Sequence, residues 1–505
     1  MDAFEREVCQ RLPLADAVLR LLDFCTPDDV LNDIFDRYRG RSYTDILKFP
    51  QFVQVIADTL LVRQRSAHQH FHQAHTQGTL PTCVEALYGK LRRVPLTLIH
   101  EPALTVPFGL PGRSDPACLC GNSIGTDKLG ACISQGLLGE ATNRLRQVFP
   151  NATEPLPASL DDLDVFAFDG KKIKFVAKRL KLLRVLRGQI LGGKLLVVAH
   201  LVTGLAVAIQ ADADGEASDN SLVAGAVASV RQSTTGKPRL WVGDRLFCDP
   251  QQIPVLKADS DHFLPRYQSK THFHRDEKRA IRTGVDSRGV PYTEDWGWLG
   301  AVEHPRRQYV RRITLHRVNA DAIILVTDLL DQAAYPAADL LETYLRRWDI
   351  EKLFQRVTEV FDLRHLIGST PQATVFQAAF CFLLSNVIQT VRGYVAEAKT
   401  CRPETISTQL LFEDAVEELT SWHKFLSVGQ TVEWLGSEVK TREQVMAYLR
   451  ERLAKTWNAR WLKATPKKSP KKKPTTQYLK GGHSSVYRIQ RGLHEVSSDP
   501  AQVNG

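Results

Sequence analysis

The sequence predicts an α/β protein: a strand-rich middle with helical regions on either side. Three observations carry this. Short apolar runs at Val165–Phe168, Leu195–Ile209 and Leu240–Gly243 read as strands. The small, apolar stretch Ser221–Val230 suits a helix laid on a sheet. Apolar residues at helical spacing fill residues 1–95 and return from Ala337 to about 462.

Length and composition bound the reading. A chain of 505 residues leads one to expect about three domains. With 43% hydrophobic and 24% charged residues, wholesale disorder is excluded. The net charge of +10 and pI near 9.1 favour an anionic partner. Nine cysteines at irregular spacing form no disulfide framework and fit a reducing compartment. The acidic N-terminus lacks the basic start, apolar core and cleavage site of a secretory leader. Val375–Val391 is the most apolar stretch, but Gln377, Ser385, Asn386 and Gln389 interrupt it. A buried helix is therefore expected there, with no membrane partner. A cytoplasmic protein follows as the expectation.

Along the chain, residues 1–150 read as a helical N-terminal domain. Thr26-Pro27-Asp28-Asp29 has the form of a helix start, with a capping hydroxyl, a first-turn proline and acids at the positive end. Phe52, Val53, Val55, Ile56, Leu60 and Leu61 mark another amphipathic helix. Scattered arginines there (Arg39, Arg41, Arg63, Arg65, Arg92, Arg93) serve either a DNA-facing or an ordinary solvated surface. Cys118, Cys120 and Cys132 match no usual zinc spacing. Residues 160–256 read as the first part of the α/β core, 257–330 as a β-rich insertion and 331–400 as the rest of the core. Residues 401–462 form a helical region suited to dimerisation. The last segment, 463–505, reads as a flexible basic tail, because Lys463–Lys480 holds seven Lys, three Pro and no acid.

Two carboxylates follow apolar strands, Asp169 and Asp244. Ligands bind at the carboxyl ends of strands in open α/β sheets, although Asp also commonly begins a turn. Asp161, Asp162 and Asp164 are alternative first acids; the Gly after Asp169 and its strand-end position favour Asp169. An amphipathic helix is expected over Leu340–Asp362. On it, Tyr344, Arg347, Glu351, Gln355 and Thr358 share one stripe. That stripe is either a surface ion pair or a carboxylate facing the two aspartates. Three gathered carboxylates need a cation, and hard oxygen donors suit Mg²⁺, with Mn²⁺ able to substitute.

These residues carry a resemblance. Phe168-Asp169-Gly170, then Gly243-Asp244-Arg245-Leu246-Phe247, then Tyr344-x-x-Arg347-Trp348-x-Ile350-Glu351-x-x-Phe354 resemble the DDE transposases of bacterial insertion sequences. The closest branch is the insertion-sequence-four family, with its Tyr-Arg-Glu-Lys signature. Val326-Thr327-Asp328-Leu329 and Tyr335-Pro336 sit where that family has a similar segment. The resemblance spans about Leu163 to Tyr394. It implies a ribonuclease-H-like core with Asp169, Asp244 and Glu351 as catalytic metal ligands. It also implies phosphate or DNA contact by Tyr344, Arg347 and Arg245, cleavage and strand transfer at terminal inverted repeats, and a homodimer synapsing double-stranded DNA at the bacterial nucleoid. The signature Lys falls at Thr358, a departure that bears on phosphate positioning.

The insertion interleaves basic residues (Arg266, Lys270, Arg275, Lys278, Arg279, Arg282, Arg306, Arg307, Arg311, Arg312) with aromatic ones. That mixture suits phosphate contact and stacking on an unpaired base. Trp296 or Trp298 is the stacking candidate, Trp298 the one assigned to DNA. His272, His274 and Asp276 alternate like metal ligands, but phosphate contact suits their basic loop better. Two rival functions remain at this stage: a metal-dependent endonuclease without joining activity, and a decayed transposase acting as a DNA-binding protein.

Overall fold

The computed structural model describes residues 2–38, 46–61, 67–93, 130–150, 155–173, 189–234, 236–303, 305–318, 320–359, 370–436, 439–463 and 483–491. Cys118, Cys120 and the Lys-rich run after Lys463 lie outside the described residues, as does the side chain of Cys132.

Twelve strands are described: β1 (Asp164–Lys172), β2 (Gln189–Leu191), β3 (Lys194–His200), β4 (Ala206–Asp212), β5 (Arg239–Gly243), β6 (His262–Pro265), β7 (Phe273–Arg275), β8 (Arg282–Val285), β9 (Pro291–Leu299), β10 (Gln308–Leu315), β11 (Ile323–Thr327) and β12 (His483–Ser485). The first sheet runs β4-β3-β1-β5-β6. β3 is antiparallel to β1 and β4, whereas β1, β5 and β6 are parallel.

Strand alternation sets what each face meets. Phe166, Phe168 and Trp241 pack on the helix Asn220–Ser233 through Leu222, Val223, Ala226, Val227 and Val230. Val165, Ala167, Leu240 and Val242 turn the other way, towards Leu340, Leu341 and Tyr344 of the helix Ala337–Arg346. On β3, Leu195, Val197 and Ala199 join the cluster containing the helices Gly130–Gln147 and Pro371–Ala398.

The β-rich stretch expected over 257–330 divides between two sheets. β6 completes the first, and β7 to β11 form an antiparallel second sheet in the order β11-β10-β9-β7, with β8 also on β9. Asp286-Ser287-Arg288-Gly289 makes the β8–β9 turn. Asp286 accepts from the Arg288 and Val290 N–H groups, and Gly289 takes φ +78°. Past β6, the Tyr267 N–H donates to the Ile324 carbonyl at 2.7 Å, which joins the sheets. The Asp328 carboxylate of the Val326–Leu329 segment accepts from the Phe263 N–H at 3.1 Å and lies 3.2 Å from His262 Nδ1.

Several local expectations need correction. Thr26 does not cap the helix Asp28–Tyr38; its hydroxyl donates back to the Leu22 carbonyl at 2.7 Å, closing the preceding helix. The single helix expected over Leu340–Asp362 is two, Ala337–Arg346 and Trp348–Glu359, meeting at Arg347. Its residues 360–362 lie outside the described ones. The flexible tail expected over 463–505 does not extend to 483–491. There β12 pairs in parallel with β2, Val486 is fully buried and Arg488 binds Asp214 at 2.8 Å.

The helix Pro371–Ala398 is long and apolar enough to cross a membrane by composition, and its apolar window is buried within the protein. Of its polar residues, Asn386 is satisfied inside: Nδ2 donates to Thr142 Oγ1 and to the Ala206 carbonyl at 2.8 Å, and Oδ1 accepts from the Ala206 N–H at 2.9 Å. The helical regions at the two chain ends also pack together. Asp16, fully buried in the helix Pro13–Cys25, accepts from Trp434 (2.9 Å), Tyr448 (2.6 Å) and Arg452 (2.6 Å).

Candidate active site

The register of β1 against β5 builds the site. Their parallel pairing ends at Ala167 opposite Val242, so Asp169 and Asp244 are each two residues further along and on the same face. Asp169 does not end its strand: β1 runs on to Lys172, because β3 still pairs with it, with Asp169 opposite Val197. Asp244 follows the last residue of β5, and the short helix Arg245–Phe247 begins immediately after it. Asp164, the alternative first acid, is at the other end of β1. His200 Nε2 at 2.8 Å and Arg146 at 3.3 Å engage it there, and its carboxyl is held down to about 2 although burial opposes this.

The face carrying Asp169 and Asp244 looks towards the junction of the two helices. Arg347 sits at that junction, 4% exposed, with Nη1 3.9 Å from Asp169 Oδ2 and Nη2 3.2 Å from Glu351 Oε1. Its guanidinium lies 5.8 Å from the Tyr344 ring centre and 5.3 Å from that of Trp348. Tyr344, Arg347 and Glu351 of the expected stripe therefore lie on the side facing the sheet, whereas Gln355 of the same stripe is exposed. Tyr344 is 2% exposed, and burial raises its hydroxyl above the usual range. Arg266, just beyond β6, brings a second positive charge that partly opposes this.

The charges are unbalanced. Burial, reinforced by Glu351 and Asp244, pushes Asp169 up to about 6, against the pull of Arg347 and of the Gly170 N–H donated to Oδ1 at 2.9 Å. Burial works against the Arg347 charge, and Tyr344, Asp169 and Asp244 outweigh it. A carboxyl raised towards 6 beside two other acids is short of positive charge. Among the described residues no three His, Cys, Asp or Glu side chains are gathered as a ready metal-ligand set. Arg347 instead reaches both Asp169 and Glu351. The donor chemistry, three carboxylates with excess negative charge, fits a hard divalent cation.

The other expected residues are dispersed. Arg245 is exposed beside Asp244. Thr358 donates its hydroxyl to the Phe354 carbonyl at 2.7 Å, so it is tied to its own helix. Trp298 is 38% exposed on β9 with Arg307 over its ring at 4.5 Å, whereas Trp296 is 1% exposed and packs under Arg279. Of the two, only Trp298 offers a surface to a partner. Arg311 and Arg312 are engaged inside the second sheet by Glu294 and Asp295. Asp276 accepts from Tyr309 and from the Lys278 N–H, as a turn residue does.

Residues 164–387, just under half of the chain, match the family model described as the transposase DDE domain. Such domains generally use divalent metals. Among solved structures the chain is similar to the piggyBac transposase in a synaptic complex with hairpin DNA. The identity is 10% over 90% of this chain and 86% of that one, with a TM-score of 0.35, a distant likeness. No curated protein matches.

Proposed function

We propose that the chain is a DDE transposase that cuts DNA at the terminal inverted repeats of its element and joins the freed ends to a target, by cut and paste. The observation that carries this is the register placing Asp169 beside Asp244, with Arg347 linking Asp169 to Glu351. The first sheet's strand order, with one antiparallel pair of strands on one side and two parallel strands on the other, supports a ribonuclease-H-like core. The DDE-domain match over 164–387 supports the same reading.

Asp169, Asp244 and Glu351 would hold the divalent cation, Mg²⁺ or Mn²⁺. When bound, such ions lower the pKa of the attacking oxygen and stabilise the leaving oxygen. The remaining roles fall to this chain's side chains. Arg347, nearly buried and charged, orients Glu351 and presents its fork to a phosphate oxygen. Tyr344 keeps its proton and can donate to the same phosphate. Arg245 and Trp298 are exposed for a phosphate and an unpaired base. In the first step a water oxygen bonds to phosphorus and the 3′-oxygen leaves, taking up a proton. In the second that 3′-hydroxyl oxygen loses its proton and bonds to a phosphorus of another strand, whose bond to its own 3′-oxygen breaks to leave a new 3′-hydroxyl. A homodimer holding two ends completes the reading.

The test is strand transfer with a precut duplex bearing a free 3′-hydroxyl at the element's end. Joined products support the transposase. Cleavage of uncut ends without joining would leave an endonuclease. Specific binding without either would leave a DNA-binding protein.

A further inference from the structure

The helix that carries Glu351 has a second charged stripe, Asp349, Lys352 and Arg356, on a different side. Two buried arginines have charges that act on one another there. Arg356 comes from this helix and Arg392 from Pro371–Ala398, and each has an Nε buried without a hydrogen-bond partner. Arg392 is 8% exposed, and its Nη1 donates to Thr408 Oγ1 at 2.9 Å. Burial and the charge of Arg392 bring Arg356 down to about 9. Burial brings Arg392 down to about 10, with Glu404 and Asp349 opposing the fall. Lys463 is also lowered, by burial and then by Arg392, Arg356 and Lys352. Of the nearby carboxylates, Asp349 is already bound to Lys352 at 2.7 Å.

Like charges enclosed with unused donors are costly unless an anion completes them. Asp349, Lys352 and Glu404, whose charges act on these groups, line an open cleft of about 470 Å³ together with Arg288, Arg346, Asp286 and Glu342. A guanidinium fork matches a phosphate oxygen pair. The sequence after Lys463 continues with Lys467, Lys468, Lys471, Lys472 and Lys473, which suits a chain of phosphates better than a single ion.

We propose that Arg356, Arg392 and Lys463, reached past Lys352, form a binding site for a backbone phosphate of DNA, separate from the Asp169–Asp244–Glu351 site. This rests on the DNA-processing reading above. It gives the helix two tasks: one stripe faces the carboxylate site and the other grips the strand.

The test compares the full-length protein with Arg356→Gln, Arg392→Gln and the charge-preserving Arg356→Lys. Binding of a labelled random-sequence duplex is followed over a potassium chloride series, and melting is followed with and without inorganic phosphate. Each Gln variant should weaken DNA binding by about tenfold, the loss of a charge-assisted bond, and lower the salt slope by about one. Arg356→Lys should retain most of the binding. Without phosphate, each Gln variant should melt higher than wild type, because an unpaired buried charge is gone. Unchanged DNA affinity in the Gln variants overturns the proposal, as does a lower melting temperature with unchanged salt slope. Phosphate stabilisation lost in the variants while DNA binding stays intact would mark a free-anion site and also overturn it. Wild-type protein that binds no DNA at all would instead overturn the functional reading.

Discussion

Arg347 stands between Asp169 and Glu351, and the consequence is measurable at Asp169. Its carboxyl is raised from 3.8 to about 6, so the folded state holds a proton that the unfolded state has released. Stability is therefore lost as pH rises from about 4 to about 6, and the penalty is complete above that. Asp169→Asn cannot ionise and should be more stable than wild type at about pH 8, by about 3 kcal/mol, with the two converging below about pH 4. Urea unfolding across that pH range checks this; parallel curves would remove the charge imbalance from the account. Asp169, Asp244 and the Tyr344–Arg347–Glu351 stripe were legible in the sequence, because strand alternation and helical spacing decide which residues share a face. The effect of the Arg392 charge on Arg356 was not, because it depends on how two helices distant in sequence dock. Thr358 showed as a departure, but its bond to the Phe354 carbonyl needed the structure.

At the scale of elements, the break at Arg347 was hidden for a physical reason. Apolar spacing continues through it, and Arg347 keeps helical angles (φ −51°, ψ −31°) while its N–H bonds to the Tyr344 carbonyl at 3.0 Å. β1 likewise outruns its apolar run, because β3 pairs with it as far as Lys172 after β5 has stopped. The division of 257–330 between two sheets was illegible too, since β6 and the strands after it share the same composition. The second sheet has one position where size is decisive. A Cβ on Gly297 would lie 2.3 Å from the His274 carbonyl oxygen and 2.9 Å from Arg275 Cα, backbone atoms of the neighbouring strand. Gly297→Ala should therefore cost about 2–3 kcal/mol, the range for overpacking, and loosen β7 from β9. Hydrogen exchange should show faster exchange at residues 273–275. An unchanged exchange pattern would contradict that packing.

Across the whole molecule, described segments distant in sequence hold one another. Residues 483–485 pair with β2, and Asp16 binds Trp434, Tyr448 and Arg452. Composition alone hid both, because a lysine-rich approach and short amphipathic helices carry no signal of their partners. The polar residues inside the apolar stretch at 375–391 did signal a buried helix, and Asn386 shows why: it joins that helix to β4 and to the helix Gly130–Gln147. Asn386→Ala leaves the Ala206 peptide group and Thr142 with fewer buried partners, at a cost of about 2–4 kcal/mol. Thermal unfolding should show this as a large fall in melting temperature, and a neutral substitution would mean that water replaces the amide. The measurement that tests the central claim most directly is cleavage of a supercoiled plasmid carrying the element's ends, with Mg²⁺ and with EDTA, by wild type, Asp169→Asn, Asp244→Asn and Glu351→Gln. The account predicts nicking that needs the metal and is lost in all three folded variants. Metal-dependent nicking that persists in any of them would contradict it.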